Sequence, residues 1–298
     1  IERGNKVVNE MGTKTKPRVY KLLAYAYFDN GDYTNALKNV NNYFAKEKEE
    51  DKISADYKLK ADIIAKTGGT PDEIYNTYIQ GAALDTVLTS KIDFLKKGAD
   101  FFKGIGDSVS YNKEGDVRTQ IISLKANPSL NEYYDAGYAY YKGNNFPKAI
   151  SEFELLTRKF PDLIYGYERL YQIGRIMDST MEKGLAVPHA IKYLEILEKD
   201  TTKNRREIIS TSSYLAIYNA NITKDYEKAI EYLNKMLVFD PTNADIQKNI
   251  DILKKAQTPS TKPKVGTTPK TSAIKKPVKK TNTTKSKTTS KSSVAKAQ

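Results

Sequence analysis

The chain has 298 residues with a formal net charge of +13, and it has neither cysteine nor tryptophan. Without cysteine there are no disulfides, thiolate nucleophiles or cysteine-ligated metals. Cysteine-free composition suits an exported or a cytoplasmic protein and leans toward export, and no apolar run reaches the length of a bilayer span. The charge is uneven. Eleven of the 49 Lys+Arg fall in residues 257–298 with no acid among them, which leaves 38 basic against 36 acidic residues, a net +2, in residues 1–256.

In chain order, residues 1–16 have the character of the end of a preceding helical unit, and a chain that starts at Ile1 rather than Met reads as a fragment or a processed form. Residues 17–50 then set a pattern of Tyr20, Leu23, Ala24, Tyr27, Gly31, Tyr33, Ala36, Leu37 and Val40. Residues 130–163 repeat it with Tyr133, Ala136, Gly137, Tyr140, Asn144, Phe146, Ala149, Ile150 and Phe153, ending at Pro161. The small residues Ala24, Gly137, Ala36 and Ala149 stand where two helices of a unit cross. Tyr27 and Tyr140 share that face and fill the space beside it. Gly31 and Asn144 suit the left-handed residue that ends a helix, and Asp32 and Asn145 are placed to cap the next one.

Between these copies, residues 54–84 give two helical patterns split by Thr67-Gly68-Gly69-Thr70-Pro71. Residues 87–128 give another pair broken around Gly104-Ile105-Gly106 and closed by Asn127-Pro128. Residues 163–200 form a fifth pair with an insertion at Lys183-Gly184-Leu185-Ala186 and Pro188 at the start of its second helix. A third clear copy of the pattern has Leu215, Ala216, Tyr226, Ala229, Ile230, Leu233, Leu237 and Pro241, with one extra residue in the inter-helix turn. Ile246, Ile250 and Leu253 give residues 242–256 one apolar face, as a terminal capping helix requires.

A unit of about 34 residues repeated at fixed offsets resembles the tetratricopeptide repeat family. The resemblance covers residues 17–256, and in the fifth and sixth units the wording is similar to exported bacterial members. It implies an all-α, right-handed solenoid of about six helix–turn–helix units, with first helices lining a concave groove that takes a peptide or protein partner. The groove positions would be Arg18, Lys21, Tyr25, Phe28 and Asp29 in the first unit, and Asn131, Tyr134, Tyr138, Tyr141 and Lys142 in the fourth. Tyr27, Tyr133 and Tyr140 are expected to pack instead. Some family members hold a peptide carboxylate with groove Lys, Asn and Arg residues. Here Lys21 is followed by Tyr25, and Tyr134 and Tyr138 stand at the matching places of the fourth unit, which departs from that pattern.

No catalytic or cofactor-binding constellation is expected. His189 is the only histidine, and it has neither cysteine nor a carboxylate pair at ligand spacing. Lys66-Thr67-Gly68-Gly69-Thr70 lacks the ending of a phosphate-binding loop and falls where the repeat needs a turn. Glu47, Glu49, Glu50 and Asp51 read as solvated helix-end charges. Arg205-Arg206 precede the sixth unit and could meet an acidic partner, although arginine pairs near a helix start are more often solvated. The Lys/Thr/Ser/Pro-rich segment 257–298 has no aromatic residue and is predicted to be disordered. Its pairs Lys275-Lys276 and Lys279-Lys280 make it either a spacer or a salt-sensitive tether for a polyanion such as nucleic acid or an envelope polymer. Two function classes therefore stand side by side. One is a non-catalytic scaffold or adaptor working through the groove, the other a polyanion binder working through the tail.

Overall fold

The computed structural model describes residues 1–257, which are helical throughout with no strand among them. The helices are α1 (Glu2–Met11), α2 (Pro17–Asp29), α3 (Tyr33–Lys46), α4 (Ser54–Lys66), α5 (Pro71–Leu84), α6 (Leu88–Ile105) and α7 (Ser108–Leu124). They continue with α8 (Leu130–Lys142), α9 (Phe146–Lys159), α10 (Ile164–Met177), α11 (Val187–Leu197), α12 (Arg205–Tyr218), α13 (Tyr226–Leu237) and α14 (Ala244–Gln257). They fall into two compact units, the first Ile1–Thr211 and the second beginning at Ser212, within α12. The lysines at 275, 276, 279 and 280, with the rest of 258–298, lie outside the described residues. Gln257, expected to open the tail, is the last residue of α14.

In the first unit each helix from α2 to α11 packs mainly on its neighbours in sequence, the arrangement of an α-solenoid. The turns follow from local chemistry. Gly31 (φ 77°) and Asn144 (φ 57°) are left-handed, and Asp32 and Asn145 accept from the backbone N–H of Asn35 and Lys148 at 3.1 and 3.4 Å. Thr70 and Ser129 cap α5 and α8 reciprocally with Glu73 and Glu132. Thr67–Thr70 is the α4–α5 turn, not a phosphate cradle.

Close approach at small residues sets the spacing of the stack. Ala24, Ala36, Ala136 and Ala149 are fully buried. A Cβ on Gly137 would stand 2.8 Å from the Phe153 ring of α9, and one on Gly115 of α7 would stand 2.6 Å from Tyr140 of α8. The second contact links successive repeats, because Tyr140, part of the core of its own pair, also packs on the helix before it. Its hydroxyl then donates to Asp116 at 2.8 Å. Tyr27 does the equivalent in α2, where its hydroxyl accepts from Asn5 of α1 at 2.7 Å.

The second unit holds the third clear copy of the repeat. Its extra turn residue is taken up by a π-helical turn at Asn219–Thr223, followed by a left-handed Lys224 (φ 59°) and a capping Asp225. A π turn holds one more residue than an α turn, so the insertion leaves Ala229 still buried in α13. Ile246, Ile250 and Leu253 of α14 are buried, and α14 packs on α13.

Candidate functional site

Three tyrosines follow one another along the exposed side of α8, at the i, i+4, i+7 spacing that keeps one helix face. Tyr134 and Tyr138 lie 5.8 Å apart between ring centres, and Tyr138 and Tyr141 6.0 Å apart, each pair nearly parallel at 16°. Tyr138 is 37% exposed, and Tyr165 of α10, edge-on to Tyr134 at 6.4 Å, is 45% exposed. Phe153 and Phe146 support Tyr134 and Tyr141 from α9. Lys142 follows the row and is hydrogen-bonded to the Tyr111 hydroxyl, which raises the lysine's pKa.

Arg169 of α10 spans the row. Its guanidinium carbon lies 5.5, 5.0 and 6.0 Å from the ring centres of Tyr134, Tyr138 and Tyr141. Nε and Nη2 both donate to the Tyr134 hydroxyl, at 2.9 and 2.5 Å. Nη1 donates to Gln172 Oε1 at 2.7 Å, and Gln172 in turn donates to Glu168 at 3.0 Å. The arginine is half-buried, and among the described residues no carboxylate forms an ion pair with it.

The corresponding positions of the first unit are filled differently. Arg18 and Asp29 are exposed, as is Tyr25 at 37%, while Phe28 is half-buried against Tyr33 at 5.6 Å. Lys21 is ion-paired to Asp56 of α4, whose side chain is fully buried, and its ammonium lies 5.4 Å from the centre of the Tyr43 ring. Asp56 also accepts from the Tyr43 hydroxyl at 2.6 Å and from the Ile53 backbone at 3.1 Å. Burial, with this carboxylate beside it, pushes the Tyr43 phenol well up. Lys21 thus joins two helices. Asn131 is exposed at the start of the fourth unit's first helix. Tyr133 and Tyr140 are buried, and Tyr27 is half-buried.

Two features escaped the reading of the sequence. Arg169 lies 35 residues after Tyr134, and Asp56 lies 35 after Lys21. A comparison of each groove position with the residue one repeat further on would have paired them. The other is a cleft of about 350 Å³ between α6, α7 and α8, lined by Lys96, Asp100, Lys103, Arg118, Ile121, Glu132 and Asp135. Arg118 there faces Glu114 at 2.7 Å, Asp135 at 3.7 Å and Asp100 at 3.9 Å, so its charge is well compensated.

A polar cluster surrounds the Tyr140 hydroxyl, which meets Thr119 and Asp116. Thr119 donates to Glu152 at 3.1 Å, and Asp116 accepts from Lys148 at 2.6 Å. The second oxygen of Glu152 has no partner, and burial raises the pKa of this carboxyl. His189 is half-buried in the first turn of α11, and burial lowers its pKa. Glu49 is largely solvated yet accepts from Lys52 at 2.5 Å. Arg205 and Arg206 open α12. Among the described residues no three His, Cys, Asp or Glu side chains are grouped as a metal site requires, and no helix is long and apolar enough to cross a membrane.

The tetratricopeptide repeat family matches residues 133–163, which run from Tyr133, the first tyrosine of α8, to Leu163, just before α10. Prolyl 3-hydroxylase 2 of Mus musculus is 22% identical over 209 residues, covering 64% of this chain and 29% of that protein, so the match spans under a third of the relative's length. Among solved structures, the C-terminal part of a TPR repeat-containing protein from Cytophaga hutchinsonii is 24% identical. That alignment covers 84% of this chain and 96% of that one, with a TM-score of 0.45. PilW, a type IV pilus biogenesis factor, is 12% identical over 78% of this chain and 97% of its own, with a TM-score of 0.36.

Proposed function

We propose that this chain, of which residues 133–163 match the tetratricopeptide repeat family, is a non-catalytic scaffold or adaptor whose α8–α10 face receives a peptide or protein segment. Proteins built from stacked helix pairs bind partners on extended surfaces made by successive first helices. The observation that carries this reading is the row Tyr134, Tyr138 and Tyr141, continued by Tyr165. Tyrosine supplies a large contact area at low entropic cost together with a hydroxyl, and such residues dominate binding energies where they cluster. A row of phenols needed only for packing would be buried on all sides, as Tyr133 and Tyr140 are; Tyr138 and Tyr165 are not.

The test is a comparative capture experiment with the full chain and with Tyr138→Ala plus Tyr165→Ala, both treated with nuclease. These two side chains are the exposed members of the row, so their loss leaves the buried packing in place. A discrete protein held by the full chain and lost by the folded double variant supports the reading. Equal capture by both sinks it.

The second reading, polyanion binding by the tail, is favoured by one observation: eleven lysines and no acid in residues 257–298. It predicts binding that fades steeply with salt and that survives the double variant, because counterion release from lysine contacts is independent of the aromatic face.

A further inference from the structure

We propose that Arg169 is the receptor for a carboxylate on the bound segment, so that the partner of the α8–α10 face is an acidic peptide with an apolar or aromatic residue beside its acid; this rests on the reading of that face as a peptide site. A guanidinium drawn out of water needs compensation. Arg118 has it from three carboxylates. Lys21, which occupies the position of Tyr134 in the first unit, has it from Asp56. Arg169 stands at the position of Asp56, one repeat onward, and is held by three ring faces, a phenol oxygen and an amide oxygen, all of them neutral. The nearest acid in sequence, Glu168, accepts instead from Gln172.

The hydrogen-bonding capacity left over fits one carboxylate. Of the five guanidinium N–H donors, three are used, on Tyr134 and Gln172, and two remain. The Tyr134 hydroxyl accepts from Arg169, which leaves its own proton free to donate to the same oxygen pair. Arg169 is oriented before binding, since stacking and the Tyr134 bonds fix its plane, and a pre-oriented fork loses little entropy when a planar anion docks. Tyr138 and Tyr165 flank it with exposed rings, suited to an apolar or aromatic neighbour of the acid. A polyphosphate fits less well, because Asp135 and Glu168 stand on the same pair of helices and repel a multiply charged anion.

A heptapeptide phage library panned on the full chain, with fluorescence anisotropy on labelled winners, tests this. Every variant keeps the basic tail, so differences between variants report the helical face. The selected peptides are expected to carry Asp or Glu beside an apolar or aromatic residue. Affinity is expected to fall about 30-fold or more with Arg169→Gln, and by less with Arg169→Lys. Asp→Asn or Glu→Gln in the peptide should cost the same, and combining it with Arg169→Gln should add nothing. Far-UV circular dichroism melts establish that the variants fold. If Arg169→Gln does not fold, the peptide substitution on the unmodified chain decides alone. Peptides that Tyr138→Ala weakens but that are indifferent to the acid and to Arg169 would overturn the inference and leave the peptide site standing. Failure to select any peptide that Tyr138→Ala weakens would overturn both. A labelled single-stranded oligonucleotide that competes with the peptides and depends on Arg169 would make the receptor one for phosphate, which also overturns it.

Discussion

The first and fourth repeats start from the same pattern and put opposite chemistry on the same positions. In the first, the residue at the exposed turn of the leading helix is Lys21, and its partner one repeat later is the buried Asp56. In the fourth, the same two positions hold Tyr134 and Arg169. The first arrangement closes on itself: a buried carboxylate meets an ammonium, a phenol and a backbone N–H. The fourth stays open, with a cation lying on aromatic faces and no counter-charge. One scaffold position thus serves as a structural tie in one unit and as a candidate contact in another. The scaffold fixes only the small residues and the packing tyrosines, so the outward positions are free to diverge.

Removing the closed arrangement should have the largest effect. Asp56→Ala strands the Tyr43 hydroxyl and leaves Lys21 beside an empty buried site, and truncating one partner of a buried pair costs about 3–5 kcal/mol. Thermal unfolding should show a fall in midpoint of many degrees, and a loss within error would mean that the pair is not a tie. Gly137→Leu comes next. The crossing of α8 and α9 has no room for a side chain against Phe153, and overpacking of this kind costs about 1–3 kcal/mol, read as a lower denaturation midpoint.

Glu152 sharpens the comparison at a third position, because the first unit has the neutral Asn39 there, buried and bonded to the Asn35 carbonyl at 2.8 Å. Burial raises the Glu152 pKa above its ordinary 4.5, so between that pH and the folded value the folded state binds more proton than the unfolded state. Stability from this group is full below pH 4.5 and drains away as pH rises through the folded value. Glu152→Gln should therefore raise the unfolding midpoint at neutral pH and leave it little changed in acid. Equal shifts at both pH values would exclude this titration. The smallest expected change is for Arg169→Gln, about 1 kcal/mol, since it gives up stacking and hydrogen bonds to neutral, partly exposed groups and no ion pair. A cost as large as that of Asp56→Ala would make Arg169 a structural tie like Lys21.

Much of this architecture was legible before any coordinates. The left-handed residues at Gly31 and Asn144, the caps at Asp32 and Asn145, and the breaks at Thr67–Pro71 and Gly104–Gly106 depend on a few consecutive residues. Local chemistry of that kind is carried by the sequence itself. The three tyrosines of α8 were likewise visible, because helical spacing alone puts them on one face. Hidden were the partners of these groups. Lys21 had the look of a groove residue until α4 brought Asp56 to it, and nothing within α8 announces that Arg169 closes over its rings.

The amino-acid sequence by itself determined the repeat, the turns that break it into helices and which residues are too small to hold neighbouring helices apart. The tertiary structure decided which outward side chains are spent on a neighbour and which are left for something else. The physical reason is reach. A turn or a cap is settled within about four residues, whereas a lysine, an arginine or a tyrosine is satisfied by whatever the stack places beside it, here a residue one whole repeat away.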